Sequence, residues 1–234
     1  MVKLYILIKQ DKSELSMKSA AVIPSYNVGK TIGDVVSRTS QFVDQIFVVD
    51  DGSTDKTASI AQRSGAEVIS LELNTGKANA TRMGIKECRG FGAVVLLDGD
   101  LQHCPEEIPA LISAVQSGAH LCIGSRFLNG GVNMPIKNRF SNWMASRIIS
   151  TITGQTVTDP QSGFRALDGA VAQELELAAE RYAIEHIMIL EAAKKSFIIN
   201  EVPISCIYGD EESNIHVLSD SYRVMRDIIR FVLR

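Results

Sequence analysis

The sequence lacks the features that would mark a membrane-spanning, disulfide-bonded or nucleic-acid-binding protein. No segment reaches the roughly 18–20 apolar residues needed to cross a bilayer. The four cysteines include no Cys-x-x-Cys pair, which is typical of reduced cytosolic thiols and argues against a zinc site or a disulfide framework. A formal net charge of -3 argues against a general nucleic-acid binder. We therefore expect a cytoplasmic protein, soluble or in peripheral contact with the cytoplasmic face of a membrane.

Two common nucleotide-binding motifs are also missing. The first predicted strand, near residues 20–23, is not followed by Gly-x-Gly-x-x-Gly, and no Gly-x-x-x-x-Gly-Lys-Ser/Thr loop is present. These absences argue against a dinucleotide-binding fold and against a phosphate-binding loop of the Walker type. The phosphates of a bound nucleotide would then need another counter-charge, and a divalent cation held by carboxylates supplies one.

The most informative stretch is residues 94–102, where an apolar strand runs directly into acidic residues. In extended backbone alternate side chains share a face, so we expect Asp98, Asp100 and Gln102 to point the same way. Carboxylate and amide oxygens are suitable ligands for Mg²⁺ or Mn²⁺ bridging phosphates. The alternative is that the two aspartates only solvate a turn, because Asp-Gly is a common turn pair.

Strands and helices alternate through residue 125, which predicts a three-layer α/β fold with a mostly parallel sheet and helices on both faces. We interpret residues 1–16 as an N-terminal extension and residues 17–234 as a single domain, because no linker interrupts them. Residues 158–165 have the composition of a turn, and two helices are expected near 168–180 and 184–195.

Functional-looking side chains follow three of the predicted parallel strands. These are Pro24 and Tyr26 after the first strand, Asp50 and Asp51 after the second, and Asp98 and Asp100 after the fourth. The carboxyl ends of parallel strands share one edge of a sheet, where ligands bind. Acids that only solvate turns would scatter between both edges. The clustering therefore favours a metal and nucleotide site, in which Asp50 or Asp51 could accept hydrogen bonds from a base or ribose.

Several motifs, taken together, resemble those of the family-2 glycosyltransferases. They are Ala21–Asn27, Val48–Asp55, the Asp-Gly-Asp-Leu-Gln-His run at 98–103, Gly124–Arg126 and Asp159–Phe164. Within that family the last three are most similar to the dolichyl-phosphate (polyprenyl-phosphate) hexosyltransferases. The resemblance covers about residue 20 to the end and implies the nucleotide-sugar-binding fold called GT-A.

The resemblance also implies roles for particular residues. The predicted nucleoside contacts are Pro24, Tyr26, Val49 and Asp51, and the predicted ligands of an Mg or Mn cation are Asp98, Asp100 and Gln102. Catalysis is assigned to Asp98, Asp100 and Arg126.

The acceptor side of the site is implied in the same way. Arg126 and Arg139 would bind the acceptor phosphate, since a guanidinium pairs well with two phosphate oxygens. Ser162 and Gly163 would shape the sugar or acceptor pocket. The chain departs from the family pattern at Val28 and at residues 208–214, which are acidic where the family has basic residues.

The reaction implied is transfer of a hexose, with inversion, from GDP-mannose or UDP-glucose to a polyprenyl or dolichyl phosphate. A hydroxyl acceptor is the alternative; it needs a general base, for which Glu185, Asp159 and Glu212 are candidates. A non-catalytic nucleotide-binding module is the alternative of a different class. The last predicted helix, from about Ser219, is amphipathic and either lies on an anionic membrane leaflet or packs on the domain.

Overall fold

The computed structural model describes residues 17–128, 136–177 and 184–205, together with Arg226 and Ile228. The predicted extension at residues 1–16, the acidic loop at 208–214 and nearly all of the predicted last helix lie outside the described residues. Within the described ranges, no helix is both long enough and apolar enough to cross a membrane.

Seven strands and seven α-helices make up the described part of the chain. The strands are β1 Ser19–Ser25, β2 Gln45–Asp50, β3 Glu67–Ser70, β4 Ala93–Leu96, β5 Leu121–Ser125, β6 Arg165–Asp168 and β7 Ile199–Pro203. The helices are α1 Ile32–Thr39, α2 Thr57–Arg63, α3 Lys77–Glu87, α4 Ile108–Gln116, α5 Ile136–Thr153, α6 Gly169–Glu174 and α7 Ile184–Lys194. A short 3-10 turn, Pro105–Glu107, leads into α4.

The strands form one sheet in the order β3-β2-β1-β4-β6-β5-β7. All described pairings are parallel except those of β6, which runs antiparallel between β4 and β5. The predicted three-layer α/β sandwich with a mostly parallel sheet is confirmed. The prediction that residues 158–165 are only turn was incomplete, because Arg165 begins β6.

The sheet separates two apolar cores, and consecutive residues of β1 enter them alternately. Ala20 and Val22 belong to the core shared with α3, α6 and α7, whereas Ala21 and Ile23 belong to the core shared with α1, α2 and α4. A strand covered on both faces has no solvent-facing position, which explains why its sequence is continuously apolar rather than alternating. Gly84 allows α3 to approach closely, since a Cβ there would lie 2.3 Å from Cγ1 of Val22.

One buried side chain in this framework makes stability depend on pH. His186 of α7 is 3% exposed, and neither ring nitrogen has a hydrogen-bond partner among the described residues. Burial lowers the pKa of His186 from an ordinary value of 6.5 to about 4. The unfolded chain therefore takes up the proton first, and the folded state loses stability as pH falls from about 6.5 towards 4.

We expect the substitution His186→Leu to flatten this pH dependence. Between pH 7 and pH 5.5 the wild type should lose about 1 kcal/mol more of its unfolding free energy than the variant, because only the wild type carries this titration. Urea unfolding at a series of pH values measures the difference. Parallel curves for the two proteins would contradict the assignment.

Candidate active site

The acidic segment after β4 is a turn, and the expectation that strand geometry aligns its side chains was wrong. β4 ends at Leu96, and Leu101 has a positive φ of 64°, which breaks the extended backbone. Asp100 Oδ1 instead accepts a hydrogen bond from the backbone N–H of Gln102 at 3.0 Å. Asp98 and Asp100 still interact: burial, followed by the negative charge of Asp98, raises the pKa of Asp100. The two carboxylates therefore form a pair of like charges with little solvent to screen them.

Lys77, the first residue of α3, neutralises one member of this acidic pair. Its Nζ lies 2.6 Å from Asp98 Oδ1 and 2.9 Å from Glu185 Oε1 on α7. Burial opposes the charge on Lys77, but Asp98 and Glu185 outweigh it and raise the pKa of the ammonium. The same contact outweighs burial at Asp98 and lowers the pKa of that carboxyl. Lys77 and Asp98 each favour the charged form of the other.

Asp51 fixes the start of α3 and so places Lys77. Its carboxylate accepts hydrogen bonds from the backbone N–H of Thr75 at 2.8 Å, the Thr75 hydroxyl at 2.9 Å and the backbone N–H of Gly76 at 2.7 Å. Asp50 lies beside it, buried, and accepts a hydrogen bond from the backbone N–H of Ser53. Both acids lie at the predicted edge of the sheet, and each carboxylate accepts one or more hydrogen bonds from the backbone of a neighbouring loop.

The other predicted nucleoside contacts lie in different environments. Pro24 lines the cleft beside Asp98, and the Tyr26 side chain is exposed. Val49 does not offer its side chain to a ligand, because that side chain is fully buried in the apolar core. In a sheet covered by helices on both faces, a central strand residue points into one core or the other, and Val49 points towards Gly84 of α3.

Arg126 stands at the end of β5, where it forms a two-point ion pair with a buried carboxylate. Its Nε donates to Asp159 Oδ2 at 2.7 Å, and its Nη2 donates to Asp159 Oδ1 at 2.9 Å. The backbone N–H groups of Thr158 and Asp159 in turn donate to the Glu201 carboxylate of β7. The orientation of the Arg126 guanidinium is thus fixed from two strands. Arg139, the second predicted phosphate contact, is exposed on α5.

The loop before β6 carries Ser162 and Gly163 against the acidic turn. A Cβ on Gly163 would lie 2.7 Å from Asp98 Oδ2 and 3.1 Å from Lys77 Nζ, so only glycine allows this approach. Ser162 is buried, and its carbonyl accepts a hydrogen bond from Nε of Arg165. Arg165 is fully buried and also donates to the carbonyls of Pro160 and Glu185, which ties the loop to α7.

Several of these groups line a cleft that is partly open to solvent. Of the residues predicted from sequence, the cleft brings together Pro24, Asp98 and Gly163. It also contains three charged residues that were not predicted to act together, Lys77, Arg165 and Glu185. The Gly76-Lys77 pair, directly after the loop that Asp51 holds, is the sequence signal that could have identified Lys77.

The protein groups available for a metal ion are few. Within the described ranges, no three His, Cys, Asp or Glu side chains converge into a complete metal site. Mg²⁺ and Mn²⁺ do not require one, because such ions are commonly bound through one or two carboxylates together with water and substrate phosphates. Asp98 and Asp100 are the carboxylates that could serve in this way, with the amide of Gln102 as a further candidate. Burial, followed by the negative charge of Asp98, raises the pKa of Asp100, and a cation would offset that charge.

The fold, a mostly parallel sheet with acids at the carboxyl ends of its strands, is the GT-A fold of glycosyltransferases. The structure of glucosyl-3-phosphoglycerate synthase from Mycobacterium tuberculosis, in complex with UDP, has the same fold. Its TM-score is 0.75 at 21% identity, over 92% of this chain and 80% of that one. The same synthase has been solved with Mn²⁺ and UDP-glucose.

Residues 20–175 match the family model Glycosyl transferase family 2, and the chain belongs to that family. The UDP-N-acetylglucosamine–dolichyl-phosphate N-acetylglucosaminyltransferase of Methanococcus voltae is 33% identical over 214 residues, which cover 81% of this chain and 85% of that protein. The dolichol-phosphate mannosyltransferase of Pyrococcus furiosus is 35% identical over 173 residues, 69% of this chain and 49% of that enzyme. The chain is therefore a glycosyltransferase whose relatives include polyprenyl-phosphate sugar transferases.

We expect Gly163→Ala to impair transfer far more than it impairs folding. The added methyl group must displace Asp98 or Lys77, and a shift of about 1 Å in a catalytic site costs roughly 100-fold in rate. Steady-state kinetics together with a thermal melt measure both effects. Gly33→Ala on α1 is the control, because its φ is not in the left-handed region and its Cβ would meet only the side chains of Ile60 at 3.1 Å and Ser64 at 3.4 Å. Wild-type rates in Gly163→Ala would show that this close approach is not needed.

Proposed function

We propose that this chain transfers a hexose, with inversion and with a divalent cation, from a nucleoside-diphosphate sugar to a polyprenyl or dolichyl phosphate. The observation that carries the proposal is the cleft in which Asp98 stands beside Lys77 at the carboxyl edge of the sheet, with Asp100 near enough for its charge to interact with that of Asp98. A site of this kind combines oxygen ligands for a cation with a fixed positive charge, and a diphosphate needs both.

The ion pairs in the site favour a phosphate acceptor over a hydroxyl acceptor. A hydroxyl needs a carboxylate to take its proton, whereas a phosphate is already anionic at neutral pH. Two of the three carboxylates predicted as bases are held by cations: Asp159 by Arg126, and Glu185 by Lys77. Glu212 lies outside the described residues. Both oxygens of Asp159 accept hydrogen bonds from Arg126, and Oε1 of Glu185 lies against Lys77, so these carboxylates are engaged in holding cations and suit a reaction that needs no base.

In the proposed reaction the chain positions two anions and a leaving group. Asp98, Asp100 and Gln102 would hold Mg²⁺ or Mn²⁺, which when bound would neutralise the donor diphosphate and make it a better leaving group. Arg126, oriented by Asp159, would hold the acceptor phosphate. An acceptor oxygen attacks the anomeric carbon as the bond to the nucleoside diphosphate breaks, which inverts that centre.

The donor and acceptor can be assigned by a panel of GDP-mannose, UDP-glucose and UDP-N-acetylglucosamine against short polyprenyl phosphates and the matching polyprenols. We expect Mn²⁺- or Mg²⁺-dependent transfer to the phosphates and none to the free alcohols. Transfer to the alcohols would support a hydroxyl acceptor. Calorimetric binding of GDP or UDP that is unaffected by Mn²⁺, without any transfer, would indicate a non-catalytic nucleotide-binding module.

The substitution Asp100→Asn should abolish metal-dependent transfer and leave the fold intact. The change removes a carboxylate whose charged form is already disfavoured by burial and by Asp98, so the free energy of unfolding should not fall. Turnover at saturating Mn²⁺ and a urea unfolding curve test both parts. Asp34→Asn, at an exposed position on α1, is the matched control and should keep full turnover. Unchanged turnover in Asp100→Asn would remove its proposed role.

A second variant separates acceptor binding from donor binding. Arg126→Ala should raise the KM for the polyprenyl phosphate at least tenfold, with a smaller effect on the KM for the donor. Because this variant also leaves Asp159 buried without its ion pair, the double variant Arg126→Ala/Asp159→Asn is assayed beside it. An effect confined to the donor in both variants would reassign Arg126 to the nucleotide side of the site.

A further inference from the structure

Helix α5 contacts the protein largely through polar side chains and exposes several large apolar ones. On the inner side Asn142 donates a hydrogen bond to the carbonyl of Thr158 at 2.9 Å. Ser146 donates to the carbonyl of Val157 at 2.6 Å, and the Ser150 hydroxyl accepts from the Val157 backbone N–H. Ile149 also faces inward and is fully buried in the apolar core. An ordinary surface helix exposes mainly polar residues, so the exposed apolar side chains of α5 are unusual.

The outward side of α5 carries large apolar residues. Phe140 is 64% exposed and Trp143 is 54% exposed, while Met144 and Ile152 are each 42% exposed. Phe140 and Trp143 stack on each other with ring centroids 6.0 Å apart. The positions 140, 143, 144 and 147 follow helical spacing, so these side chains share one face. Contiguous exposed apolar surface of this kind marks a contact with another molecule or with a membrane.

Charge determines which occupant this face fits. In the 18 residues of α5 the charged side chains are Lys137, Arg139 and Arg147, and there is no acid, in a chain whose net charge is -3. The Arg147 guanidinium lies over the Trp143 ring, 5.9 Å from its centroid. A second copy packed face to face on α5 would bring these cations together, and like charges disfavour that pairing. Aromatic and aliphatic residues next to basic ones suit an anionic bilayer.

We propose that the outward face of α5, defined by Phe140, Trp143, Met144 and Arg147, docks on the surface of an anionic lipid bilayer. The apolar side chains enter the boundary between headgroups and acyl chains, and the basic residues meet the lipid phosphates. This inference rests on the surface itself and does not need the proposed acceptor.

The docking face is connected to the candidate site through the inner side of the same helix. Asn142 holds the Thr158 carbonyl, and the next residue, Asp159, fixes Arg126. Docking α5 on a bilayer would therefore fix the lipid surface relative to the segment that orients Arg126.

The chain contains a built-in reporter, because Trp143 is its only tryptophan. We expect its fluorescence to shift to the blue, and to be quenched by brominated acyl chains, when the full chain is mixed with phosphatidylglycerol–phosphatidylcholine vesicles. Pure phosphatidylcholine vesicles should give a much weaker response, and added salt should reduce the response to the anionic vesicles. Neither readout depends on transferase activity, so failure of the proposed reaction would leave this test intact.

Two double variants test whether the outward face of α5 is the surface that contacts lipid. Phe140→Ser/Met144→Ser, which keeps Trp143, should lower the affinity for anionic vesicles at least tenfold in co-sedimentation. Leu73→Ser/Ile198→Ser removes two exposed apolar side chains elsewhere and is the matched control, which should bind as the wild type does. Circular dichroism and a thermal melt confirm that both double variants are folded.

Three results would overturn the proposal. One is the absence of co-sedimentation with anionic vesicles. Another is co-sedimentation without any change or quenching of Trp143 emission, which would place the lipid contact on a different surface. The third is Trp143 emission that is already blue-shifted in lipid-free buffer and does not respond to vesicles, which would mean that the chain itself or a second copy covers this face.

Discussion

The ammonium group of Lys77 joins parts of the chain that are far apart in sequence, and the candidate site depends on it. Asp98 follows β4 and Glu185 begins α7, so one cation links the acidic turn to a helix more than eighty residues later. Without it, Asp98 and Glu185 would face each other across the cleft as like charges, with Asp100 adding to the negative charge near Asp98. Because these side chains are only partly exposed, water screens such repulsion less than it would at an open surface.

Several residues position the ion pairs that Lys77 makes with Asp98 and Glu185. Asp51 uses three hydrogen bonds to hold the residues that precede Lys77. Gly163 supplies the space in which Asp98 and Lys77 meet, and Arg165 anchors the loop that carries this glycine. The acids at the ends of β2 and β4 thus have different physical tasks. Asp51 organises backbone, whereas the carboxylate of Asp98 stands at the cleft.

Much of the fold followed from local sequence signals, and the exceptions share a cause. The apolar runs of β1, β2 and β4 and the acids after them were identified correctly, because burial on both faces leaves a continuous apolar signal. β6 has only four residues, Arg165–Asp168, two of them charged, and its strand state comes from pairing with β4 and β5. Lys77 and Arg165 were missed for a related reason: their partners come from distant positions that no local spacing reveals. The turn at Asp98 differed from expectation because Leu101 takes a left-handed conformation.

The antiparallel insertion of β6 has a consequence for how the chain is completed during synthesis. In the described sheet, β5 pairs with β6 and β7, both of which follow it in sequence. As the polypeptide leaves the ribosome, β1 to β4 can associate early, while β5 must wait for at least forty more residues before it has a neighbour. Until then one edge of β4 has unpaired backbone N–H and C=O groups, and nascent chains can aggregate through such edges. Residues 126–164 are thus synthesised before β6, the strand that pairs with β4 and β5.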